Sequence, residues 1–204
     1  MSRIDFLEKY ATKDKHYDIN KEIDKALNSR SDNYIYALTK HPDFNIDHTE
    51  FLLNHKNKYF HRLAYESKHI TPEHIDKALD DVDSLIKGTA ISNPNASIDN
   101  ISKALLDEHY SVRKKALQHP NVTNEHIDIG LSDPDEFVRA EAARHAKLPL
   151  HINKALSDHD WIVRRAATEN MNIDEKQLKQ AMIDSDRAVS SSAYTIYSHV
   201  MRKK

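Results

Sequence analysis

The chain has 204 residues, of which 39% are apolar and 30% charged, and its formal net charge is −2. It contains 2 Gly and no Cys, which excludes Gly-rich phosphate loops, nucleophile elbows, disulfides, thiolate metal sites and iron–sulfur clusters. Its first ten residues, MSRIDFLEKY, carry charges where a secretory signal would need an apolar core. No apolar run approaches the roughly 18 residues of a membrane span. We therefore expect a soluble, cytoplasmic, helical protein.

A short phrase recurs along the chain, seen as HIDKAL, NISKAL, HIDIGL and HINKAL. We number each repeat from the last apolar residue of this phrase as position 0. These residues follow one another at steps of 26, 26, 26, 26, 25 and 26: Leu27, Leu53, Leu79, Leu105, Leu131, Leu156 and Met182. Positions −4, +7 and +11 are apolar in every copy except at Thr49, which stands at position −4 of the second repeat. Self-similarity at one fixed period indicates a repeat architecture.

This spacing of apolar residues predicts two short amphipathic helices in each repeat. In chain order we expect a capping helix over residues 1–15, seven two-helix repeats over 16–198 and a basic tail over 199–204. Helices this short cannot bury their apolar faces alone, so the repeats must stack on their neighbours. The predicted fold is an all-α solenoid of about seven 26-residue repeats that forms a single domain, with junctions near residues 41, 67, 93, 119, 145 and 170.

Polar residues at fixed positions predict where the helices begin and end. Residues with a capping oxygen precede the first helix of several repeats, at Thr71, Ser97, Thr123 and Asp174. Aspartates at position +2 are expected to cap the second helix or to place a negative charge at its N-terminus. The phrases HPD, NPN and HPN place a proline just after the second helix, where it stops propagation.

The phrase HPNVTNEHIDIGLSDPDEFVRAEAARH and its weaker copies resemble the leucine-rich-repeat-variant and HEAT-like α-solenoid families. Those repeats carry a similar NPN turn, a D-x-x-VR step and alanines in the second helix. The resemblance covers nearly the whole chain and implies a stacking unit rather than one activity. One leucine-rich-repeat-variant type holds an iron–sulfur centre on an N-terminal cysteine cluster, which this chain cannot have.

Three sets of polar residues recur at equivalent positions, which favours structural roles. His48, His74, His126 and His151 share position −5, too far apart for joint metal ligation, and are expected to be partly exposed first-turn residues. Carboxylate pairs recur at the turns, so five similar pairs indicate one capping function rather than a catalytic site. Lys87, Arg113, Arg139 and Arg164 share position +8, and their side chains are expected to form a ladder of ion pairs with the turn aspartates of neighbouring repeats.

One set of residues departs from the repeat. Positions +5 and +9 lie one turn apart on the second helix, away from its apolar side. They carry basic and aromatic residues in alternate repeats, with Arg187 at +5 of the seventh: Lys58, Arg62, Tyr110, Lys114, Trp161, Arg165 and Arg187. Such a row suits a protein-recognition surface, or phosphates and stacked bases. The alternative is that Tyr110 and Trp161 fill gaps between adjacent second helices.

These observations predict a non-catalytic scaffold that binds a macromolecule, with a protein as the expected partner and no cofactor, metal or membrane. The alternative is a nucleic-acid-binding solenoid, because the HEAT-like resemblance includes DNA glycosylases that hold damaged DNA in a basic concave face. The net charge of −2 disfavours general nucleic-acid binding, whereas the basic and aromatic row favours it. An enzyme on a HEAT-like frame has no site that the sequence identifies.

Overall fold

The computed structural model describes residues 18–29 and 38–201. The predicted capping helix and residues 202–204 of the predicted tail lie outside these ranges. The regular structure of the described residues is entirely helical and includes no strand. Among them, no helix has an apolar stretch long enough to cross a bilayer.

The described residues fall into two compact units that meet at Ala96 and Ser97 in the chain. In unit 1 the helices are α1 (Ile19–Ser29), α2 (Ile46–Leu53), α3 (Lys58–Tyr65), α4 (Pro72–Ala78) and α5 (Ser84–Ile91). Those of unit 2 are α6 (Ile98–Ala104), α7 (Tyr110–Leu117), α8 (Asn124–Gly130), α9 (Glu136–His145), α10 (Pro149–Leu156), α11 (Trp161–Thr168), α12 (Glu175–Ala181) and α13 (Arg187–Met201). The expectation of a single continuous domain stays a prediction.

The helices form pairs that match the predicted repeats. Each even-numbered helix from α2 to α12 packs against the helix that follows it, and the pairs are separated near the expected junctions. Adjacent second helices also pack directly on one another: α3 on α5 in unit 1, and α7 on α9, α9 on α11 and α11 on α13 in unit 2. Only α1 of the first predicted repeat is described, so the count of seven stays a prediction. Helix α13 runs through Met201, so residues 199–201 of the predicted tail are helical.

The core follows the predicted apolar positions. Every described residue at positions −4, +7 and +11 is buried, and the alanines at +11 are completely so: Ala64, Ala90, Ala116, Ala142, Ala167 and Ala193. The exception, Thr49, is also fully buried. Its hydroxyl group lies 3.1 Å from the carbonyl oxygen of Asn45 and 3.2 Å from the hydroxyl group of Ser67. A threonine is tolerated there because its one polar atom is hydrogen-bonded.

The first helices begin at the predicted capping residues, whereas the second helices begin two residues later than predicted. Thr71, Ser97, Thr123 and Asp174 are the N-caps of α4, α6, α8 and α12. The second-helix caps stand at position +4, and not at +2, in Asn57, Asp83, Asp135 and Asp160. Of the two roles predicted for the +2 aspartates, that of the N-cap was wrong, and that of a charge near the helix N-terminus stays a prediction. Their side chains accept the backbone N–H of the +4 residue, at Asp83, His109, Asp135, Asp160 and Asp186.

The turns after the second helices are stabilised by the side chain of their first residue, whether or not a proline follows it. In five junctions the side chain at position +14 accepts the N–H group two residues later: His41, Ser67, Asn93, His119 and Asn170. Asn170 also donates its amide to the carbonyl oxygens of Ala143 and Ala146 in the preceding junction, at 2.6 and 2.9 Å. These contacts fix the spacing between successive repeats.

Candidate binding surface

The arginines at position +8 form the predicted ladder in unit 2. Arg113 binds Asp133, Arg139 binds Asp158 and Arg164 binds Asp184, each through two nitrogen atoms at 2.7–3.1 Å. Each partner aspartate belongs to the next repeat and stands at its position +2.

Each arginine of this ladder also donates to two carbonyl oxygens of its own turn. The hydrogen bond from Arg164 is the largest influence on the pKa of Asp184 and lowers it. These turn carboxylates therefore hold the stack together, as the sequence pattern predicted.

The histidines at position −5 occupy a more buried site than predicted. His48, His126 and His151 are only 8%, 3% and 2% exposed, so the expectation of partly exposed residues was wrong for these three. His48 and His126 form capping boxes in which Nδ1 accepts the N–H group of the helix-capping residue, as it also does in the partly exposed His74. Asn100 and Gln177 serve the same purpose in their repeats. His151 has no such capping bond, and its Nε2 lies 3.1 Å from the carboxylate of Asp128. The part of the chain that the structure describes contains no cluster of His, Asp and Glu able to hold a metal ion.

Three aromatic side chains line the first turns of consecutive second helices in unit 2. Tyr110 on α7, Phe137 on α9 and Trp161 on α11 are 48%, 44% and 41% exposed. The ring centroids of Tyr110 and Phe137 lie 6.3 Å apart. We call these three residues the aromatic row. Because each of these residues is more than 40% exposed, packing between second helices does not account for the whole surface of its side chain.

Phe137 did not belong to the predicted set because it stands at position +6 rather than +5 of its repeat. On a helix these positions are 100° apart, and both lie on the exposed side of the second helices. The sequence does carry a signal for Phe137, because three consecutive second helices have an aromatic residue in their first turn. The predicted set included only positions +5 and +9 and therefore left Phe137 out.

A basic side chain follows each aromatic residue toward the C-terminal half of the same helix. These are Lys114 on α7, Arg144 on α9 and Arg165 on α11, which we call the cationic row. Lys114 is half-buried, whereas the side chains of Arg144 and Arg165 are 41% and 50% exposed. Arg187, at the first position of α13, is also exposed. Unit 2 thus carries five of the seven predicted residues, and Arg144 is an addition.

Two glutamates accompany the cationic row. Glu169 lies 3.4 Å from Arg144 and 3.3 Å from Arg165. Glu141 is buried and binds Gln118 and His145, each at 3.1 Å. Burial alone would raise the pKa of Glu141, but hydrogen bonds from His145 and Gln118 hold it below its ordinary value. The carboxylates and guanidinium groups therefore form one network along adjacent second helices.

The two predicted residues of unit 1 have different surroundings. Nζ of Lys58 lies 2.8 Å from Asp81, the aspartate at position +2 of the next repeat. Burial alone would raise the pKa of Asp81, but this hydrogen bond holds it below its ordinary value. Lys58 therefore takes part in an inter-repeat ion pair similar to those of the arginine ladder. Nε of Arg62 is buried and has no hydrogen-bond partner among the described residues.

A second surface feature of unit 2 is an open groove beside the C-terminal ends of α6 and α8. Leu105, Leu106, Ile129 and Pro134 contribute its apolar surface, and the Arg113–Asp133 pair lies along it. That pair is part of the arginine ladder and connects two repeats. The groove therefore offers an apolar surface beside a structural ion pair, and its lining suggests no catalytic group.

No family model matches the chain, and no curated protein is significantly similar to it. One solved structure is similar, described as a leucine-rich repeat variant with a novel repetitive protein structural motif. The two share 16% identity and a TM-score of 0.47, over 83% of this chain and 78% of that one.

Proposed function

We propose that this protein is a non-catalytic scaffold that binds another protein through the second helices of unit 2. The observation that carries the proposal is the aromatic row, in which three large aromatic residues on consecutive second helices are each more than 40% exposed. Clusters of exposed apolar surface with a polar rim are typical of interaction sites. Tyr, Trp and Arg are the residue types that contribute most to protein–protein affinity. Lys114, Arg165 and Arg187 supply the rim, and Lys58 and Arg62 stay predicted binding residues of unit 1.

A nucleic acid is the second candidate, because exposed aromatic rings beside cations can also stack bases and hold phosphates. The charge distribution favours a protein. Glu169 already neutralises part of Arg144 and Arg165, and Glu136 stands beside Phe137 at the start of α9. A phosphate backbone would meet these carboxylates as well as the cations, whereas a protein segment can place apolar and polar groups to match both.

Affinity capture from cell lysate tests the proposal. The bait is the whole chain, compared with Tyr110→Ala/Trp161→Ala and with Val82→Ala, which truncates an exposed apolar residue of unit 1. We expect proteins that remain bound after nuclease treatment, that are lost with the double variant and that are kept with Val82→Ala. Capture that needs nucleic acid would support the second candidate. Capture that the double variant leaves unchanged would contradict the proposed surface.

A further inference from the structure

We infer that the aromatic and cationic rows together bind an extended protein segment whose apolar and acidic side chains recur about every third residue. The segment would cross α7, α9 and α11 at a large angle to their axes. This inference rests on the proposed function and specifies the class of partner.

The spacing of the helices provides the first argument. Packed helices lie about 8–10 Å apart, and α7, α9 and α11 pack on one another in order. An extended polyproline-type chain rises about 3.1 Å per residue, so three residues span about 9 Å. A segment that crosses the three helices would therefore present every third side chain to an equivalent place on the next helix. A ligand helix, about 10–12 Å wide, would cover neighbouring sites with its whole body and would not match this row one residue at a time.

The arrangement of side chains provides the second argument. On all three helices the aromatic residue stands in the first turn and the cation lies farther along the same helix. A segment that crosses the helices would therefore have an aromatic surface on one side and cations on the other. Its apolar side chains fit the first and its carboxylates fit the second, because Arg and Lys bind carboxylates through charge-assisted hydrogen bonds.

The state of the cations provides the third argument. Lys114 forms no ion pair with any residue that the structure describes. Arg144 and Arg165 share Glu169 at 3.4 and 3.3 Å, and Arg144 also lies 3.6 Å from Glu141, all beyond the 2.7–2.9 Å of a strong charge-assisted hydrogen bond. Each guanidinium group has five N–H donors, so both can accept a further carboxylate without losing Glu169. Charge complementarity therefore selects a segment with a few spaced carboxylates over a basic one, whereas a continuous polyanion would also meet Glu141 and Glu169.

The probes are synthetic nine-residue peptides with a fluorescent label. The first contains three copies of Asp-Pro-Leu, the second replaces each Asp by Lys, and the third has the composition of the first but groups its Asp, Pro and Leu residues in blocks. Trp161 is the only tryptophan in the sequence, so its emission reports occupancy of the aromatic row directly. Label anisotropy supplies the dissociation constant.

We expect the periodic acidic peptide to bind at least tenfold more tightly than the other two and to change Trp161 emission. Lys114→Glu/Arg165→Glu should weaken its binding at least tenfold and favour the basic peptide. Lys115→Glu, which changes an exposed charge of α7 outside the row, should leave it unchanged. A thermal melt of each variant confirms that the fold is retained.

Equal or weaker binding of the acidic peptide would overturn the inference, as would loss of its binding with Lys115→Glu alone. Tighter binding of a twelve-residue oligothymidylate at the same row would overturn it in favour of nucleic acid. If lysate proteins still depend on Tyr110 and Trp161 in these cases, the proposed function survives and only this partner class fails. If capture is also independent of those residues, both fail.

Discussion

Gly130 stands at the closest approach between the two helices of its repeat. It occupies position −1, where five other repeats have alanine: Ala26, Ala78, Ala104, Ala155 and Ala181. A methyl group added here would lie 2.8 Å from Cβ of Ala142 and from Cδ1 of Leu117. The end of Leu117 can move, but Cβ of Ala142 is fixed to the backbone. The glycine therefore serves close packing, and its phrase departs from the repeat for that reason.

We expect Gly130→Ala to destabilise the protein in spite of the better helix propensity of alanine. Overpacking costs about 1–3 kcal/mol, and the propensity gain offsets about 1 kcal/mol. Chemical denaturation should show a net loss of about 1 kcal/mol. The variant Gly130→Ala/Ala142→Gly restores the missing space. Its loss of unfolding free energy should therefore be smaller than the sum of the losses in the two single variants. Additive behaviour would show that the contact with Ala142 does not matter.

His126 links proton binding to stability. Its Nδ1 accepts the N–H group of Thr123, and its Nε2 lies 2.9 Å from the hydroxyl group of Ser102. Burial lowers the pKa of His126 below its ordinary value of 6.5. The unfolded chain therefore binds a proton more readily than the folded chain does. The stability contribution is complete above about pH 6.5 and is lost as the pH falls through the lower folded pKa.

We expect His126→Asn to reduce the acid sensitivity of the protein. Asn100 performs the same capping function in the preceding repeat and does not titrate. Between pH 7.5 and 5.5 the melting temperature of the variant should fall less than that of the wild type. His199→Asn changes an exposed histidine and serves as the control. An unchanged pH dependence in His126→Asn would show that His126 is not linked to folding.

At the scale of the elements, the repeats are connected by polar contacts as much as by apolar packing. Arg139 is buried, bonds to both oxygens of Asp158, and also satisfies the carbonyl groups of Asp133 and Pro134. Removing it would leave a buried carboxylate and two carbonyl oxygens with fewer partners. Truncating one member of a buried pair typically costs about 3–5 kcal/mol, whereas an exposed pair contributes about 0–1 kcal/mol.

We therefore expect Arg139→Leu to lower the free energy of unfolding by about 3–5 kcal/mol. Arg165→Leu, which breaks an exposed pair with Glu169, should cost less than about 1 kcal/mol. Arg139→Leu/Asp158→Asn should recover part of the loss, because it removes the uncompensated charge. Urea denaturation measures all three. Similar losses for Arg139→Leu and Arg165→Leu would show that burial of the ladder adds nothing.

The step from Leu131 to Leu156 is one residue shorter than the other steps, and helix α9 changes its end to fit this shorter repeat. Between Leu131 and Leu156 the junction reads HAK from His145, without the proline that stands at this place in the HPD, NPN and HPN junctions. Helix α9 instead continues to His145, and Ala146 is fully buried. The carbonyl oxygen of Ala146 accepts hydrogen bonds from Asn170 and Asn172 of the next junction. The sequence indicated the missing residue, but the extension of α9 depends on this contact between junctions.

At the scale of the whole molecule, the repeat pattern predicted the features that recur at the same position of each repeat. The helix pairs, the alanine contacts and the arginine ladder follow because every repeat presents the same position to its neighbour. Contacts that depend on a local shift of one or two residues were missed, as with Phe137 at +6 and the caps at +4. Burial of His48 and His126 was also missed, since their capping boxes depend on geometry between residues three apart. The binding role of the rows stays a prediction, because no partner constrains a solvent-facing position.

The identity of the partner class determines how binding responds to salt. Truncating Trp161 and Arg165 to alanine removes one stacking surface and one cation from the exposed face of α11. For a nucleic acid, the lost stacking should cost roughly 1–3 kcal/mol, and the loss of one phosphate contact should reduce the salt slope by about one unit. For a protein partner, a hot-spot truncation should cost about 2 kcal/mol or more, with a weaker dependence on salt than a polyanion shows.

We expect the second outcome, because the formal net charge of −2 and the glutamates beside the rows oppose a polyanion. The measurement is binding of the captured partner to the wild type and to Trp161→Ala/Arg165→Ala at low and high ionic strength, together with a thermal melt. If affinity is unchanged, the partner binds elsewhere. If affinity falls only in step with a large drop in melting temperature, the two side chains act by packing between second helices, and the rows are part of the core rather than a surface for recognition.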